Sequence, residues 1–161
     1  MRIEDFEQLY EEQAQPLFGF LVYRTGDRAL AEDLLGEAFE RALRSRRRYN
    51  PAKASTKTWL YAIALNCLRD QRRRAEAEAR ALTRAGPGEG MAVDPGLGGV
   101  EDRDVIARAM AKLSEAEREV VALRYGGELT APEMARLLKE KLTTVEGRLY
   151  RALGKLRDEI D

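Results

Sequence analysis

Asp27-Arg28-Ala29-Leu30-Ala31-Glu32-Asp33-Leu34-Leu35-Gly36-Glu37-Ala38-Phe39-Glu40-Arg41-Ala42-Leu43 decides the fold class. Ala31, Leu34, Leu35, Ala38, Phe39, Ala42 and Leu43 recur at i, i+3, i+4, i+7, i+8, i+11 and i+12, which is one face of a helix and no face of a strand. Asp27, following Gly26, supplies the carboxylate that caps a helix start. The opposite face is acidic, with Glu32, Asp33, Glu37 and Glu40. Toward the N-terminus, Phe6, Leu9 and Tyr10 mark one apolar face and Leu17, Phe18, Leu21 and Val22 continue it, with Pro16 expected to break or restart the helix between them. Toward the C-terminus, the loop Arg46 to Lys53 leads to a helix predicted to start near Ser55 or Thr56. That helix packs Trp59, Leu60, Ile63, Ala64, Cys67 and Leu68 inward and turns Thr58, Ala62, Asn66, Arg69 and Arg73 outward.

Gly86-Pro87-Gly88-Glu89-Gly90 and Asp94-Pro95-Gly96-Leu97-Gly98-Gly99 bracket a stretch without apolar periodicity, which reads as a linker. Beyond it, Val105, Ile106, Ala109, Met110 and Leu113 form one helical face. Three Ser/Thr-x-x-Glu boxes then announce helix starts: Ser114 with Glu117, Thr130 with Glu133, and Thr143 with Glu146. The Ser114 helix buries Val120 and Leu123 and is expected to end at Gly126-Gly127; the Thr130 helix buries Met134, Ala135 and Leu138; the Thr143 helix buries Val145, Leu149, Ala152, Leu156 and Ile160. The last two, with a short turn at Lys139 to Leu142, have the lengths of a helix-turn-helix, whose second helix enters a DNA major groove and would present Thr144, Arg148 and Arg151. No alternating run argues for a sheet, so the expected fold is all-α in two parts.

The 28 basic and 28 acidic side chains of the 161-residue chain cancel overall but not locally. Residues 1–43 carry 4 basic and 10 acidic groups, whereas residues 44–74 carry 10 and 1, a net charge of +9. One surface therefore suits a polyanion and its neighbour a basic partner. The longest apolar run, Trp59 to Leu65, is far short of the roughly 20 residues that span a bilayer, and the acidic start at Glu4, Asp5 and Glu7 is unlike a signal peptide. No membrane insertion and a cytoplasmic location are expected. Without histidine, and with one cysteine, the common zinc sites, histidine acid–base chemistry and disulfide frameworks are excluded. No catalytic group, metal or cofactor is proposed.

The stretches Ala31 to Phe39, Trp59 to Arg73, Leu113 to Val120 and Thr144 to Leu153 together resemble the successive signatures of bacterial extracytoplasmic-function (ECF) sigma factors, the group IV members of the sigma-70 family. The resemblance implies a region 2 helical bundle over 1–80, a flexible linker over 81–101 and a region 4 helix-turn-helix domain over 102–161. It implies an alternative sigma factor that binds core RNA polymerase at the beta-prime clamp helices and the beta flap, directs promoter-specific initiation, and is held inactive by an anti-sigma factor. Glu32, Asp33, Glu37 and Glu40 would face polymerase. Arg47, Tyr49, Asn50, Lys53, Lys57, Asn66, Arg69 and Arg73 would hold the separated minus-10 strand, since a cationic groove with an aromatic suits single-stranded DNA; Arg72, Arg73 and Arg74 would do so through backbone phosphates, and Trp59 belongs to the core. Thr144, Glu146, Arg148, Arg151 and Lys155 would meet the minus-35 duplex.

The chain departs from the family at Gly36, where glutamine is usual, at Thr56, where phenylalanine is usual, at Glu146, commonly lysine, and in the turn Lys139-Glu140-Lys141-Leu142. Two other classes stay open: a stand-alone helix-turn-helix regulator, and a metal-dependent nuclease assembled on the acidic helix.

Overall fold

The computed structural model describes residues 1–83, 105 and 108–160. Residues 84–101 of the expected linker, and Ile106 of the helix expected to follow it, lie outside the described residues. All regular structure within them is helical. Helix α1 (Ile3–Thr25) runs through Pro16 without a break, against expectation. The proline removes a backbone hydrogen bond at a cost of about 3 kcal/mol. Burial of Leu9 on one side of it and Leu17, Phe20, Leu21 and Val22 on the other outweighs that, at about 1.5–3 kcal/mol for each large apolar side chain. Gly26 closes α1 in the left-handed region, φ 68°, its N–H donating to Val22 O at 2.8 Å. Asp27 accepts from the Leu30 amide at 3.1 Å and starts α2 (Arg28–Ser45), whose buried face is Ala31, Leu34, Ala38, Phe39 and Ala42. A 3-10 turn at Arg46–Arg48 and a loop lead to α3 (Thr56–Leu82), capped by Ser55, which accepts from the Thr58 amide at 3.1 Å.

In the second half, residues 108–111 are helical. The box of Ser114 and Glu117 then opens α4 (Glu115–Val121), and that of Thr130 and Glu133 opens α5 (Ala131–Leu138). The third expected box does not form. Lys139 turns the chain at φ 56°, and α6 (Leu142–Ile160) starts one residue before Thr143; the amides of Thr144 and Val145 bond instead to Lys141 O at 3.0 and 3.1 Å. Helix α4 ends in a π-helical turn, Ala122–Gly126, where Gly127 donates to Ala122 O at 3.0 Å.

The two halves share one core. Leu17, Phe20, Leu21, Leu60, Tyr61 and Leu65 pack in a single buried cluster with Val120, Leu123, Leu129, Met134 and Val145. Tyr61 and Leu65 lie off the inward stripe expected for α3 and are buried nonetheless, because α3 covers a second surface. The Tyr61 ring is 5.9 Å from that of Phe20, and its hydroxyl donates to Gly127 O at 3.2 Å. Burial, first among the influences on it, raises the Tyr61 phenol well above its ordinary value. Among the described residues no helix is long and apolar enough to cross a membrane.

Candidate functional site

The acidic face of α2 is uneven in what it leaves available. Glu32 and Asp33 are exposed and form no ion pair with a described residue. Glu37 holds Arg41 at 2.6 Å and lies 3.9 Å from Arg74, while Glu40 holds Arg44 at 2.5 Å. At Gly36 a side chain would meet nothing within 4 Å, so this position is a gap in the outer face rather than a packing necessity.

The basic loop is a built structure. Tyr49 donates its hydroxyl to Ala54 O at 2.8 Å and tilts its ring on Trp59 at 5.3 Å, and Asn50 accepts from the Ala52 amide at 2.9 Å. Both residues therefore shape the loop, and Trp59 packs half-buried against the core. Arg47 and Lys53 extend into solvent, as do Asn66 and Arg69 on the outer side of α3. Arg73 pairs with Asp70, which also takes Arg41 at 3.1 Å; the Arg41 hydrogen bond, then Arg73, holds the Asp70 carboxyl below its usual range. Two further cations of α3 are engaged across the molecule, Lys57 with Glu133 at 3.2 Å and Arg72 with Glu115.

On α6, Thr144, Glu146 and Arg151 are exposed. Arg148 is not: it is 19% exposed and holds Glu140 of the turn at 2.8 Å. Lys155 pairs with Glu117 at 2.8 Å, and that contact, before the Ser114 amide, lowers the Glu117 carboxyl. Residues 147, 150, 151 and 154 share the side of α6 opposite Val145 and Ala152. Gly147 and Gly154 flank Tyr150 there, which is 77% exposed, and Arg151 lies over Gly147 with Nη1 3.3 Å from where a Cβ would stand. Sequence reasoning passed over Tyr150, although an aromatic off the apolar period of a helix is a signal. It also passed over Arg24, Glu115 and Gly19, whose partners lie in the other half of the chain.

Sigma-70 region 2 matches residues 9–78, and the family described as Sigma-70, region 4 matches residues 103–156. The chain is 30% identical over 151 residues to the ECF RNA polymerase sigma factor SigL of Mycobacterium tuberculosis, covering 92% of this chain and 85% of that one. It is 26% identical over 161 residues to the ECF RNA polymerase sigma factor SigK of the same species, covering 97% and 86%. Among solved structures, the sigma factor RpoE of Bartonella quintana, in complex with the anti-sigma factor NepR, superposes with a TM-score of 0.78 at 22% identity, covering 98% of this chain and 97% of that one. CnrH in complex with the cytosolic domain of CnrY superposes with a TM-score of 0.72 at 23% identity, covering 99% and 90%.

Proposed function

The chain belongs to the ECF branch of the sigma-70 family of RNA polymerase sigma factors, and from that premise we propose how its surfaces divide the work of transcription initiation. It is an alternative sigma factor: it binds core RNA polymerase and directs promoter-specific initiation. We assign residues 1–80 to region 2, 81–101 to a connecting segment and 102–161 to region 4. Glu32 and Asp33 are the primary docking charges for the basic beta-prime clamp helices, with Glu37 and Glu40 at their margin, and region 4 meets the beta flap. Arg47, Lys53, Asn66 and Arg69 contact the melted minus-10 strand over a loop that Tyr49 and Asn50 shape, joined by Lys57 and Arg73. Thr144, Glu146, Arg151 and Tyr150 face the minus-35 duplex, with Lys155 on phosphate and Arg148 steadying the turn. The protein acts stoichiometrically, in the cytoplasm, without a catalytic group, and an anti-sigma factor is its natural inhibitor.

The observation that carries this reading is that Glu32 and Asp33 are exposed, without an ion pair among the described residues, next to a cationic helix in a chain that matches region 2 and region 4 in order. The stand-alone regulator leaves the first half without a purpose. A pull-down of purified core polymerase tests the proposal: wild type should retain core, and Glu32→Arg with Asp33→Arg should weaken retention by at least about tenfold, as expected when close interfacial charges are reversed. Equal retention by both would remove α2 from the polymerase interface.

A further inference from the structure

Arg24 is deeply covered and only partly satisfied. Its side chain is 5% exposed and donates from Nη2 to Glu115 at 2.6 Å, while its Nε is buried without a hydrogen bond among the described residues. Most buried polar groups in folded proteins have a partner, so a buried guanidinium nitrogen without one marks a place where an acceptor fits. Arg72 pairs with the same carboxylate. Arg118 stands 3.5 Å from it, with Nε donating to Leu113 O at 3.2 Å. Three guanidiniums thus share one carboxylate, which leaves two positive charges unbalanced around Glu115.

The same three guanidiniums line a hollow of about 230 Å³, and no acidic side chain among the described residues lines it with them. The Gln71 amide contributes a further donor, and Leu30 and Leu68 supply apolar wall, which keeps the local dielectric low and makes the uncompensated charge costly. The walls come from both halves of the chain, which touch backbone to backbone: a Cβ at Gly19 of α1 would lie 2.6 Å from Gly126 O, and one at Gly126 would lie 2.7 Å from Gly19 O.

We propose that this hollow is a binding site for a phosphoryl dianion, supplied by inorganic phosphate or by a small phosphate monoester. Charge selects the class. Two unbalanced positive charges match a monoester, which carries close to two negative charges at neutral pH, and exceed what a carboxylate or a phosphodiester brings. Guanidinium forks pair with phosphate oxygens through parallel N–H···O bonds, and Gln71 adds its amide. Size sets the limit: the hollow is smaller than the roughly 300–1,000 Å³ of pockets for drug-sized ligands, so it takes a phosphoryl group with few atoms attached rather than a whole nucleotide. A backbone phosphate of DNA is singly charged and has chain leaving it on two sides, which suits an open groove and not a hollow whose deepest cation is so covered. The site is therefore separate from the promoter contacts and independent of the sigma-factor reading.

Phosphorus NMR titration of the full chain tests it with three probes: inorganic phosphate, methyl phosphate and dimethyl phosphate. At least one of the two dianions should bind with a Kd below about 1 mM, and dimethyl phosphate at least about tenfold more weakly. Tighter methyl phosphate identifies the occupant as a monoester, and tighter inorganic phosphate as the free ion. Gln71→Glu puts a carboxylate into the hollow with little change of shape, and Ala75→Glu does so from an exposed position of α3 on the lining. Each should weaken binding at least about tenfold. Ala79→Glu, one turn further along α3 and off the lining, makes the same change of charge and should leave affinity within about twofold. Should Gln71→Glu fail to fold, Ala75→Glu decides against Ala79→Glu. No binding of either dianion at about 10 mM would overturn the site, as would equal binding of dimethyl phosphate, or binding that survives both lining variants or falls equally in Ala79→Glu. Retention of core polymerase by a chain that takes up no phosphate defeats the site and spares the sigma-factor reading.

Discussion

A charge that already holds a partner inside the molecule contributes less to an external surface than one that does not, and this separates neighbours that look equivalent in sequence. Arg148 and Arg151 sit three residues apart in α6 and both match the family pattern. Arg148 is mostly covered and holds Glu140 at 2.8 Å, whereas Arg151 is exposed on the outer face over Gly147. Arg151→Gln should weaken binding to a minus-35 duplex by about 1–3 kcal/mol, with stability changed by less than about 0.5 kcal/mol. Arg148→Gln should instead lower stability, by about 1 kcal/mol for a pair that is partly covered but still reached by solvent. Duplex titration beside urea denaturation checks both, and the opposite assignment of effects would return Arg148 to the DNA face. The period of α6 announced which residues point outward, because burial repeats every 3.6 residues. It carried no information on which of them the turn would recruit, since Glu140 reaches Arg148 only once Lys139 has reversed the chain. Gly19 and Gly126 were illegible for a related reason: each is required by a backbone more than a hundred residues away.

At the scale of elements, three identical capping patterns had two different fates. Ser114 and Thr130 each accept an amide from the third helical residue, while Glu117 and Glu133 return the bond. Thr143 does neither, because the turn delivers the chain into helical geometry at Leu142 and the first free amides find Lys141 O. Thr130→Ala should therefore cost about 1 kcal/mol, while Thr143→Ala should fall within about 0.5 kcal/mol of wild type. Midpoints of urea unfolding at constant slope measure both, and a loss at Thr143 equal to that at Thr130 would mean that α6 begins a residue later than described. A cap motif fixes a helix start only where the preceding connection leaves room for a non-helical residue, and that depends on the turn. The same logic governs Pro16. The expected break at Pro16 rests on the lost hydrogen bond alone, but α1 is held by what it buries on both sides of the proline, including a second half of the chain that no local window contains. The helices themselves were legible from periodicity, since each has one apolar stripe. The burial of Tyr61 and Leu65 on a further side of α3 was not.

At the scale of the whole molecule, the charge asymmetry between the first two segments was readable by counting, and it pointed to a surface for a polyanion beside one for a basic partner. Counting segment by segment could not show that carboxylates of the second half neutralise cations of the first. Glu115 records that pairing in its acidity. Burial, the largest influence, pushes its carboxyl up, but Arg24 and Arg72 outweigh burial and hold it at about 2, below its ordinary value of 4.5. Glu133 is lowered in the same sense, burial opposing and the Thr130 amide and Lys57 prevailing. A carboxyl depressed in the folded state contributes stability that is complete above its unfolded value and is lost as pH falls through the folded one. The ionic part of the contact should therefore be intact above about pH 4.5 and fade between there and about pH 2. The apolar stripes of the helices carry no titratable group, whereas the contact between the halves loses its ion pairs as Glu115 and Glu133 take up protons. Small-angle scattering and far-ultraviolet circular dichroism on the same acid titration should accordingly separate, with the radius of gyration rising at a higher pH than the one at which helicity falls. Added salt, which screens partly exposed pairs, should move the expansion to higher pH and leave the loss of helicity where it was. Coincident, salt-independent transitions would mean that the shared apolar core holds the halves together and that the carboxylates merely accompany it.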